Sequence, residues 1–567
     1  MSLPVAPWLA HYDGGVPATL APYPDRTLVD YLADVVREAP GRPALLFKGA
    51  TVTYGELDRL SDACAAAFTA LGVARGDRVG LLLPNCPQFF IAQFGAWKIG
   101  AIVAPLNPIY TEHELEGPLR DCGIGTILTL TRFYQRVKSV QPRTPVRRVI
   151  ATSIKEYFPP LLRVLFTLFR ETRDGDRIRL KPGDHDFSHL LLVNRGRKPP
   201  VVPIAARDPA VLLMSGGTTG TPKGVIGTHA AYVMAGLQIK TWNASALRGS
   251  EDVTFLPLPL FHVYGNVGVQ ALSFINGCAI ALVPNPRDLA ALLADVNRVK
   301  PTFFNGVPTL YIAMLNHPLV QKGKIDFTSI RICFSGAAPL LADTKTRFEA
   351  LTGARIVEGY SLTEGMMALC VNPAKGQNKL GSVGMPLPDV SVRIFDGDQG
   401  TRELPAKEVG EIAIAAPQLM TGYWNQPADT ADVLRDHLVD GMAQRFLHTG
   451  DLGYLDEDGY LFIVDRKKDL IKTSGYQVWP REIEEAIASH PAVAEVGVAG
   501  MADPVKGEAV KAWVVLRAGH TLSEADLRAF CRQTLAPYKV PASVEFRIEL
   551  PKTMVGKVLR RTLREGG

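Results

Sequence analysis

The chain has 567 residues, of which 47% are hydrophobic and 21% are charged, and its formal net charge is +6. This length allows several buried cores, at roughly 150 residues per domain, and so small a charge gives no reason to expect nucleic-acid binding. The seven cysteines lack metal-ligand spacing, no apolar segment reaches the ~20 residues that span a bilayer, and the N-terminus lacks a secretory pattern, so we expect a cytoplasmic protein with buried free thiols.

The first part of the chain alternates helix-like and strand-like segments. The pattern predicts helices at 55–71, 88–99 and 112–122 and strands at 78–84, 101–106 and 126–130. Further strands are predicted near 252–258, 278–283, 302–305, 330–334 and 355–358. Such alternation is typical of parallel sheets covered by helices, and the two blocks suggest two related α/β subdomains. After about residue 390 the pattern changes to β hairpins with Asp-Gly turns at 396–397 and 458–459, followed by a compact α+β unit.

The segment 154–170 interrupts this alternation with a largely apolar helical surface. Arg163, Thr167 and Arg170 form one narrow polar stripe on it. The basic residues that follow are Arg173, Arg177, Arg179 and Lys181. A basic, apolar helix of this kind can lie in a membrane interface or cover a hydrophobic tunnel, and a core helix of the N-terminal lobe is the alternative.

A glycine-rich loop follows the apolar strand-like run 210–214. Residues 212–225 read Leu-Leu-Met-Ser-Gly-Gly-Thr-Thr-Gly-Thr-Pro-Lys-Gly-Val. The glycines let backbone amides approach an anion, the hydroxyls donate further hydrogen bonds, and Lys223 supplies positive charge. Proline precedes the lysine and glycine follows it, which disfavours the nucleotide-binding loop that ends in Gly-Lys-Ser/Thr. The candidate phosphate-binding residues are Ser215, Gly216, Gly217, Thr218, Thr219, Gly220, Thr221 and Lys223.

Three further motifs follow predicted strands. Residues 255–265 contain Phe-His-Val in an apolar, proline-rich run, where a lone histidine is more often a core residue than a catalyst. Residues 333–340, Cys-Phe-Ser-Gly-Ala-Ala-Pro-Leu, form a small-residue turn against which a flat ligand can lie. In residues 358–365, Glu-Gly-Tyr-Ser-Leu-Thr-Glu-Gly, Tyr360 can stack on a base and Glu364 offers the oxygen ligand that magnesium prefers.

The last motifs are charged. Asp451 ends a Thr-Gly-Asp tripeptide, and residues 465–475 read Asp-Arg-Lys-Lys-Asp-Leu-Ile-Lys-Thr-Ser-Gly. A carboxylate that attacks a phosphate meets like-charge repulsion, which a bridging lysine offsets. Lys557, in the run Pro-Lys-Thr-Met-Val-Gly-Lys, fits that role. Taken alone, residues 560–564 read as a basic C-terminal tail.

In this order, these motifs resemble the signatures of the adenylate-forming (AMP-binding) superfamily, which includes acyl- and aryl-CoA synthetases, beetle luciferases and peptide-synthetase adenylation domains. The resemblance covers about residues 27–561 and is to bacterial medium- and long-chain fatty acyl-CoA synthetases in particular. It implies an α/β fold: a large N-terminal domain (1–466) of two α/β subdomains plus a β-rich portion, and a small mobile α+β C-terminal domain (467–567). It places the hinge at Lys468.

The resemblance also implies roles for individual residues. The nucleotide would be bound by the loop residues above and by Gly336, Ala337, Ala338, Glu358, Gly359, Tyr360, Thr363, Asp451, Arg466, Gly475 and Lys557. The acyl pocket would contain Phe261, His262, Val263, Gly306 and Ser361. The catalytic set would be Thr218, Lys223, His262, Glu364, Lys472 and Lys557, with Glu364 as the magnesium ligand. The chain departs from the family pattern at Ser361, where glycine is usual, and at Val555, where a small polar residue is usual.

The implied activity is ligation of a medium- or long-chain fatty acid to coenzyme A, with ATP and magnesium, through an acyl-adenylate. Members that activate amino acids place an aspartate near Phe261, and none stands there. Alternatives are an aryl or cinnamate-type acid, a carrier protein as acceptor, luciferase-like oxidation, and a non-catalytic acyl-binding relative, which the complete catalytic set disfavours. We expect a monomer or homodimer without a nucleic-acid partner, and peripheral contact with the inner membrane face.

Overall fold

The computed structural model describes residues 6–215, 222–396, 400–439, 441–473, 476–504, 506–553 and 558–565. The helices are α1 (Leu28–Glu38), α2 (Tyr54–Ala70), α3 (Pro87–Trp97), α4 (Glu112–Asp121), α5 (Tyr134–Val140), α6 (Pro160–Phe169), α7 (Phe187–Val193), α8 (His229–Trp242), α9 (Gln270–Asn276), α10 (Leu289–Val299), α11 (Pro308–Leu315), α12 (Pro318–Gln321), α13 (Ala342–Thr352), α14 (Pro427–Val433), α15 (Pro480–Ala488), α16 (Glu524–Cys531) and α17 (Arg560–Glu565). Several begin at capping boxes, as α1 does at Thr27 and α2 at Thr53. The threonine side chain accepts the backbone N–H of the acidic residue three positions later, whose carboxylate accepts the backbone N–H of the threonine.

Two large sheets form the α/β part of the chain. Their strands are β1 (Pro43–Phe47), β2 (Ala50–Thr53), β3 (Arg78–Leu82), β4 (Ile102–Pro105), β5 (Thr126–Leu130), β6 (Arg148–Thr152), β7 (His185–Asp186), β8 (Pro209–Ser215), β9 (Lys223–Thr228), β10 (Val253–Leu256), β11 (Ala279–Leu282), β12 (Phe303–Gly306), β13 (Ile332–Ser335), β14 (Arg355–Leu362), β15 (Met367–Val371) and β16 (Met385–Pro386). The first sheet has the order β7-β6-β5-β3-β4-β8-β9, and the second has the order β16-β15-β14-β13-β12-β10-β11-β1-β2. Both are parallel at their centres and antiparallel at one or both edges.

Two smaller sheets complete the described fold. The strands are β17 (Ser391–Phe395), β18 (Gly410–Ala415), β19 (Leu434–Val439), β20 (Met442–Leu455), β21 (Leu461–Arg466), β22 (Ile471–Thr473), β23 (Tyr476–Val478), β24 (Val493–Asp503), β25 (Gly507–Leu516) and β26 (Ser543–Phe546). The β-rich sheet is antiparallel, in the order β17-β18-β20-β19 with β21 on β20. The C-terminal sheet has its own hydrophobic core around Ile471, Ile483 and Val514. The predicted α/β class, with two α/β subdomains, a β-rich portion and a smaller α+β unit, is confirmed.

Most predicted elements agree with the structure to within about two residues. The Asp-Gly turn at 458–459 joins β20 to β21, with Gly459 at a φ of 81°, whereas the turn at 396–397 extends outside the described residues. All seven cysteines are free and buried. Within the described ranges, no helix is both long and apolar enough to cross a bilayer.

The interpretation of 154–170 as a core helix is wrong. Residues Ile154–Tyr157 form a 3-10 turn, the chain bends at Pro159, and α6 then presents no buried side chain. Phe166 alone turns inward, onto Phe158, which stacks on Phe47 at 5.8 Å between ring centroids. The helix therefore lies on the surface with its apolar side outward.

The interpretation of 560–564 as a basic tail is also wrong. These residues fall in α17, where Leu563 is fully buried. Arg560 reaches three carboxylates, with Nη1 2.9 Å from Asp465 Oδ1 and 3.1 Å from Asp469 Oδ2, and Nη2 2.7 Å from Glu484 Oε2. The last helix is therefore bound to the segment that precedes the C-terminal sheet.

Candidate active site

Three predicted residues, Tyr360 of β14, Asp451 of β20 and Arg466 at the end of β21, contact one another. Asp451 lies opposite Arg466 in the β20–β21 ladder, and Asp451 Oδ1 is 2.9 Å from Arg466 Nε. The hydroxyl of Tyr360 donates to Asp451 Oδ2 at 2.6 Å. Asp451 is 4% exposed. A buried carboxylate with one cation and one hydroxyl already aimed at it suits the binding of a diol such as ribose.

The surroundings shift the pKa values of Tyr360 and Arg466. Burial, and then the charge of Asp451, raise the pKa of Tyr360 well above its usual value, so its hydroxyl stays protonated. Burial opposes the charge of Arg466, but the attraction of Asp451 outweighs it and the pKa of Arg466 is raised. At neutral pH the Asp451 carboxylate is therefore faced by a charged guanidinium and by a hydroxyl that can donate.

A second group surrounds the end of the glycine-rich loop. Lys223 Nζ lies 2.6 Å from Asp429 Oδ1 and 5.0 Å from the ring centroid of Tyr423. The hydroxyl of Tyr423 donates to Glu364 Oε1 at 2.9 Å. Lys223, the predicted phosphate-binding cation, and Glu364, the predicted magnesium ligand, therefore both contact the side chain of Tyr423. Magnesium needs only one or two protein carboxylates when phosphates supply other ligands, so Glu364 fits a magnesium nucleotide.

The small-residue turn after β13 lies beside the start of the next motif. Ala337 has a φ of 70°, a left-handed conformation that non-glycine residues rarely adopt. Gly336 faces both Tyr264 and the backbone of Gly359, because a Cβ on Gly336 would lie 3.3 Å from the Tyr264 ring and 3.7 Å from the Gly359 oxygen. Glu358 is buried, which raises its pKa, and Lys345 Nζ opposes that shift from 3.4 Å.

An apolar pocket continues from this turn into the second sheet. Its wall includes Ile239 of α8, Leu272 of α9 and Met367 of β15. Gly336, Gly359, Ser335 and Ser361 line it next to the turn described above. The Ser335 hydroxyl has no hydrogen-bond partner among the described residues. The lining of this pocket suits an apolar group, with the polar end of a ligand near the turn.

The other predicted pocket residues lie around this cavity rather than in its lining. His262 and Val263 precede Tyr264, which does line it, and Gly306 packs against the Tyr311 ring. The Nδ1 atom of His262 accepts the Tyr264 N–H at 3.3 Å. Burial lowers the pKa of His262 to about 4, so the ring is neutral at pH 7. Phe261 is half-buried beside it.

The remaining predicted residues are more scattered. Lys468 and Lys472 are exposed beyond Arg466, and the Lys472 N–H donates to Glu508 Oε2 at 2.7 Å. Thr363 is half-buried in the turn before Glu364, and Ala338 follows Ala337 in the turn after β13. Eight predicted residues lie outside the described residues: Gly216, Gly217, Thr218, Thr219, Gly220, Thr221, Gly475 and Lys557. Tyr423 and Asp429 are site residues that the sequence interpretation missed.

Together, the fold and site define a two-part enzyme that binds a nucleotide beside an apolar cavity. The AMP-binding enzyme family matches residues 32–424, and the AMP-binding enzyme C-terminal domain matches residues 482–557. The chain belongs to the AMP-binding enzyme family.

Relatives agree over almost the whole length. A long-chain-fatty-acid–CoA ligase from Bacillus subtilis is 40% identical and covers 99% of this chain and 98% of its own. A 4-coumarate–CoA ligase from Oryza sativa is 35% identical over 95% of this chain and 92% of its own. Among solved structures, ATP-bound MatB from Rhodopseudomonas palustris is 28% identical with a TM-score of 0.79, covering 95% of this chain and 98% of its own.

Proposed function

We propose that this protein ligates medium- or long-chain fatty acids to coenzyme A in two steps. The acid's carboxylate oxygen attacks the α-phosphorus of ATP and pyrophosphate leaves; the thiol of coenzyme A then attacks the acyl carbonyl and AMP leaves. The observation that carries the proposal is the apolar pocket beside the turn after β13, which Gly336 and Gly359 both line. Full-length similarity to a long-chain-fatty-acid–CoA ligase supports the same substrate class.

The described residues divide the work of the first step. Asp451 and Arg466 would hold the ribose, the Gly336 turn and Tyr360 would border the adenine, and Lys223 would attract the phosphates. Magnesium held at Glu364 would neutralise phosphate charge. Lys557 remains the predicted bridge between the carboxylate and the α-phosphate.

We further propose that the chain pivots at Lys468, between domains 1–466 and 467–567. The two family matches end at 424 and begin at 482, which brackets this position. The C-terminal sheet has a hydrophobic core of its own. A pivot there would exchange Lys557 for the Lys472–Gly475 surface between the two steps and keep water from the adenylate.

An aryl acid is the second candidate. Phe303 and Phe334 both line the cavity and stack at 4.9 Å between centroids, and aromatic rings pack well in such places. The similarity to a 4-coumarate–CoA ligase favours the same alternative.

A panel of carboxylic acids distinguishes these substrates. Pyrophosphate release and thioester formation are measured with magnesium ATP, with and without coenzyme A, on saturated acids of increasing length and on cinnamates. Coenzyme A-dependent thioester on fatty acids, lost in Lys557→Ala, is the expected result. Turnover of cinnamates alone would replace the fatty acid by an aryl acid, and pyrophosphate without thioester would point to a carrier protein as acceptor.

The Leu272→Trp variant tests whether the acyl chain occupies this cavity. The larger side chain should lower kcat/KM for the longest accepted acid by roughly tenfold or more, because each methylene denied burial loses about 0.8 kcal/mol. Shorter acids should be little affected, and Leu272→Met, which nearly conserves volume, should keep the wild-type profile. An equal loss on all chain lengths would contradict this placement.

We also propose that α6 brings the protein to an anionic membrane surface. Its exposed apolar residues are Leu161 (73% exposed), Val164 (55%), Leu165 (43%), Leu168 (70%) and Phe169 (69%). None of the described residues covers this stripe. Two partly buried ion pairs hold the segment that carries it: Lys155 Nζ lies 2.6 Å from Glu171 Oε1, and Arg132 pairs with the fully buried Asp176 carboxylate. Basic side chains outnumber acidic ones between residues 155 and 181, which suits anionic lipid.

Vesicle binding tests this surface. The wild type should sediment with vesicles of phosphatidylcholine and phosphatidylserine, less so at high salt, and Leu161→Gln/Leu168→Gln should bind about tenfold or more weakly, since each buried leucine contributes on the order of 1.5 kcal/mol or more. The matched control is Leu438→Gln/Met442→Gln, an exposed apolar pair on the β19–β20 hairpin. Equal binding by the two double variants would contradict the proposal.

A further inference from the structure

A network of ionisable groups, of which Glu411 and His448 are buried, lies beside the proposed ribose-binding pair Asp451 and Arg466. Glu411 of β18 is 5% exposed, and its Oε1 accepts the N–H of Gly450 at 3.3 Å. Its Oε2 lies 3.4 Å from Lys467 Nζ and 3.5 Å from His448 Nδ1. Burial alone would raise the pKa of Glu411, but His448 and Lys467 outweigh it and the pKa is lowered. The carboxylate is therefore ionised in the interior.

Two stacked imidazoles, those of His448 and His437, form one end of this network. His448 Nε2 and His437 Nε2 are 2.8 Å apart, so one of these nitrogens donates and the other accepts. Phe395 stacks on His437 at 4.2 Å between centroids and covers the pair. Phe395 covers the imidazole end of the network, and the other end, Lys467, is partly exposed to solvent.

The contacts of Glu411 fall on β20 and on the residue directly after β21, the two strands that carry the proposed ribose-binding residues. Gly450 immediately precedes Asp451 and has a φ of 68°, and Lys467 immediately follows Arg466. The Lys467 N–H also donates to the Gly450 oxygen at 3.0 Å. One carboxylate therefore links Gly450, the residue before Asp451, to Lys467, the residue between Arg466 and Lys468.

We propose that Glu411 is a positioning residue for nucleotide binding. It holds Asp451 and Arg466 face to face and, through Lys467, fixes the residue directly before the proposed pivot at Lys468. This inference rests on the proposed function, in which Asp451 and Arg466 hold the ribose. Glu411 itself touches neither of these side chains and acts through Gly450 and Lys467.

A double-mutant cycle on AMP binding tests the inference. The variants are Glu411→Gln, which keeps an acceptor for Gly450 but loses the charge, Lys467→Met, and the two combined. Calorimetry with AMP alone needs neither acid nor coenzyme A, so its result is independent of whether a thioester forms. Asp436→Asn, an exposed carboxylate that pairs with Arg445 on the same sheet, is the matched control.

We expect the Kd for AMP to rise about tenfold in Glu411→Gln and several-fold in Lys467→Met, and the double variant to bind no more weakly than Glu411→Gln, because the two side chains share one interaction. The control should bind as the wild type does. Glu411→Ala, which also removes the acceptor for Gly450, should bind more weakly still. An unchanged Kd in Glu411→Gln and Glu411→Ala, with only a lower Tm, would assign Glu411 to stability alone and overturn the proposal.

Discussion

Replacing Asp451 by alanine is expected to slow adenylate formation about a hundredfold at limiting ATP. The substitution removes the carboxylate that accepts from Tyr360 and pairs with Arg466, and it leaves the guanidinium without its partner at 2.9 Å. Hydrogen bonds to charged groups contribute roughly 1.5–3 kcal/mol each, and a factor of ten in rate corresponds to about 1.4 kcal/mol. Losing two such contacts to a ribose at the low end of this range, about 3 kcal/mol in total, predicts an effect of about this size.

Acid-dependent exchange of pyrophosphate into ATP measures the effect without coenzyme A. Tyr360→Phe should cost less, roughly fivefold, because it removes one hydroxyl and leaves the carboxylate paired with Arg466. Asp458→Asn is the matched control, since this carboxylate lies on the β20–β21 turn and pairs with Lys379 instead. Exchange by Asp451→Ala at the wild-type KM for ATP would show that the ribose binds elsewhere.

The α/β alternation could be predicted because it is local. Each strand is a short apolar run and each helix has its own cap, as at Thr53, so the element bounds follow from residues close in sequence. The sheet order could not be predicted in this way. Strand β1 pairs with β11, with Leu45 opposite Ile280, and no sequence pattern links two segments so far apart.

The candidate site shows the same division. Tyr360, Asp451 and Arg466 stand in motifs with a recognisable order, and the structure brings them together. Asp429 was missed because its partner Lys223 lies 206 residues away in sequence, and nothing around Asp429 distinguishes it from a solvated helix residue. Glu411 was missed for the same reason, since its three partners all lie on other strands or beyond them.

Both wrong interpretations, 154–170 as a core helix and 560–564 as a basic tail, misjudged which side chains are buried. The pattern of α6 is equally apolar whether the helix is a core element or a surface one, and only the inward packing of Phe158 and Phe166 shows which side faces the protein. The basic run at 560–564 likewise gave no sign that three carboxylates surround Arg560. Side chains from distant segments settled both cases.

Arg560→Met is expected to destabilise the C-terminal part of the chain by about 3–5 kcal/mol, because removing one partner of a buried ion pair leaves the other charge uncompensated. The Asp465 side chain is 2% exposed and that of Arg560 is 18% exposed. Burial opposes the charge of Arg560, but the neighbouring carboxylates outweigh it and the pKa of Arg560 is raised, so the cluster favours its charged form. Lysine cannot replace it, since one ammonium cannot make the forked contacts to Glu484 and still reach both aspartates.

Amide hydrogen exchange on the full chain locates this loss, and urea unfolding measures its size. Exchange should accelerate in α15, α17 and the residues around Asp465, while the N-terminal helices α2 and α3 should keep their protection. Arg532→Met, at an exposed position at the end of α16, is the control and should change stability by no more than about 0.5 kcal/mol. Because Asp465 also accepts the Arg481 N–H at 2.8 Å, the freed carboxylate lies beside the proposed pivot at Lys468, and thioester formation should fall more than adenylate formation. Equal protection of α17 in Arg560→Met and the wild type would show that Leu563 and its apolar neighbours, rather than the ion pairs, hold the last helix in place.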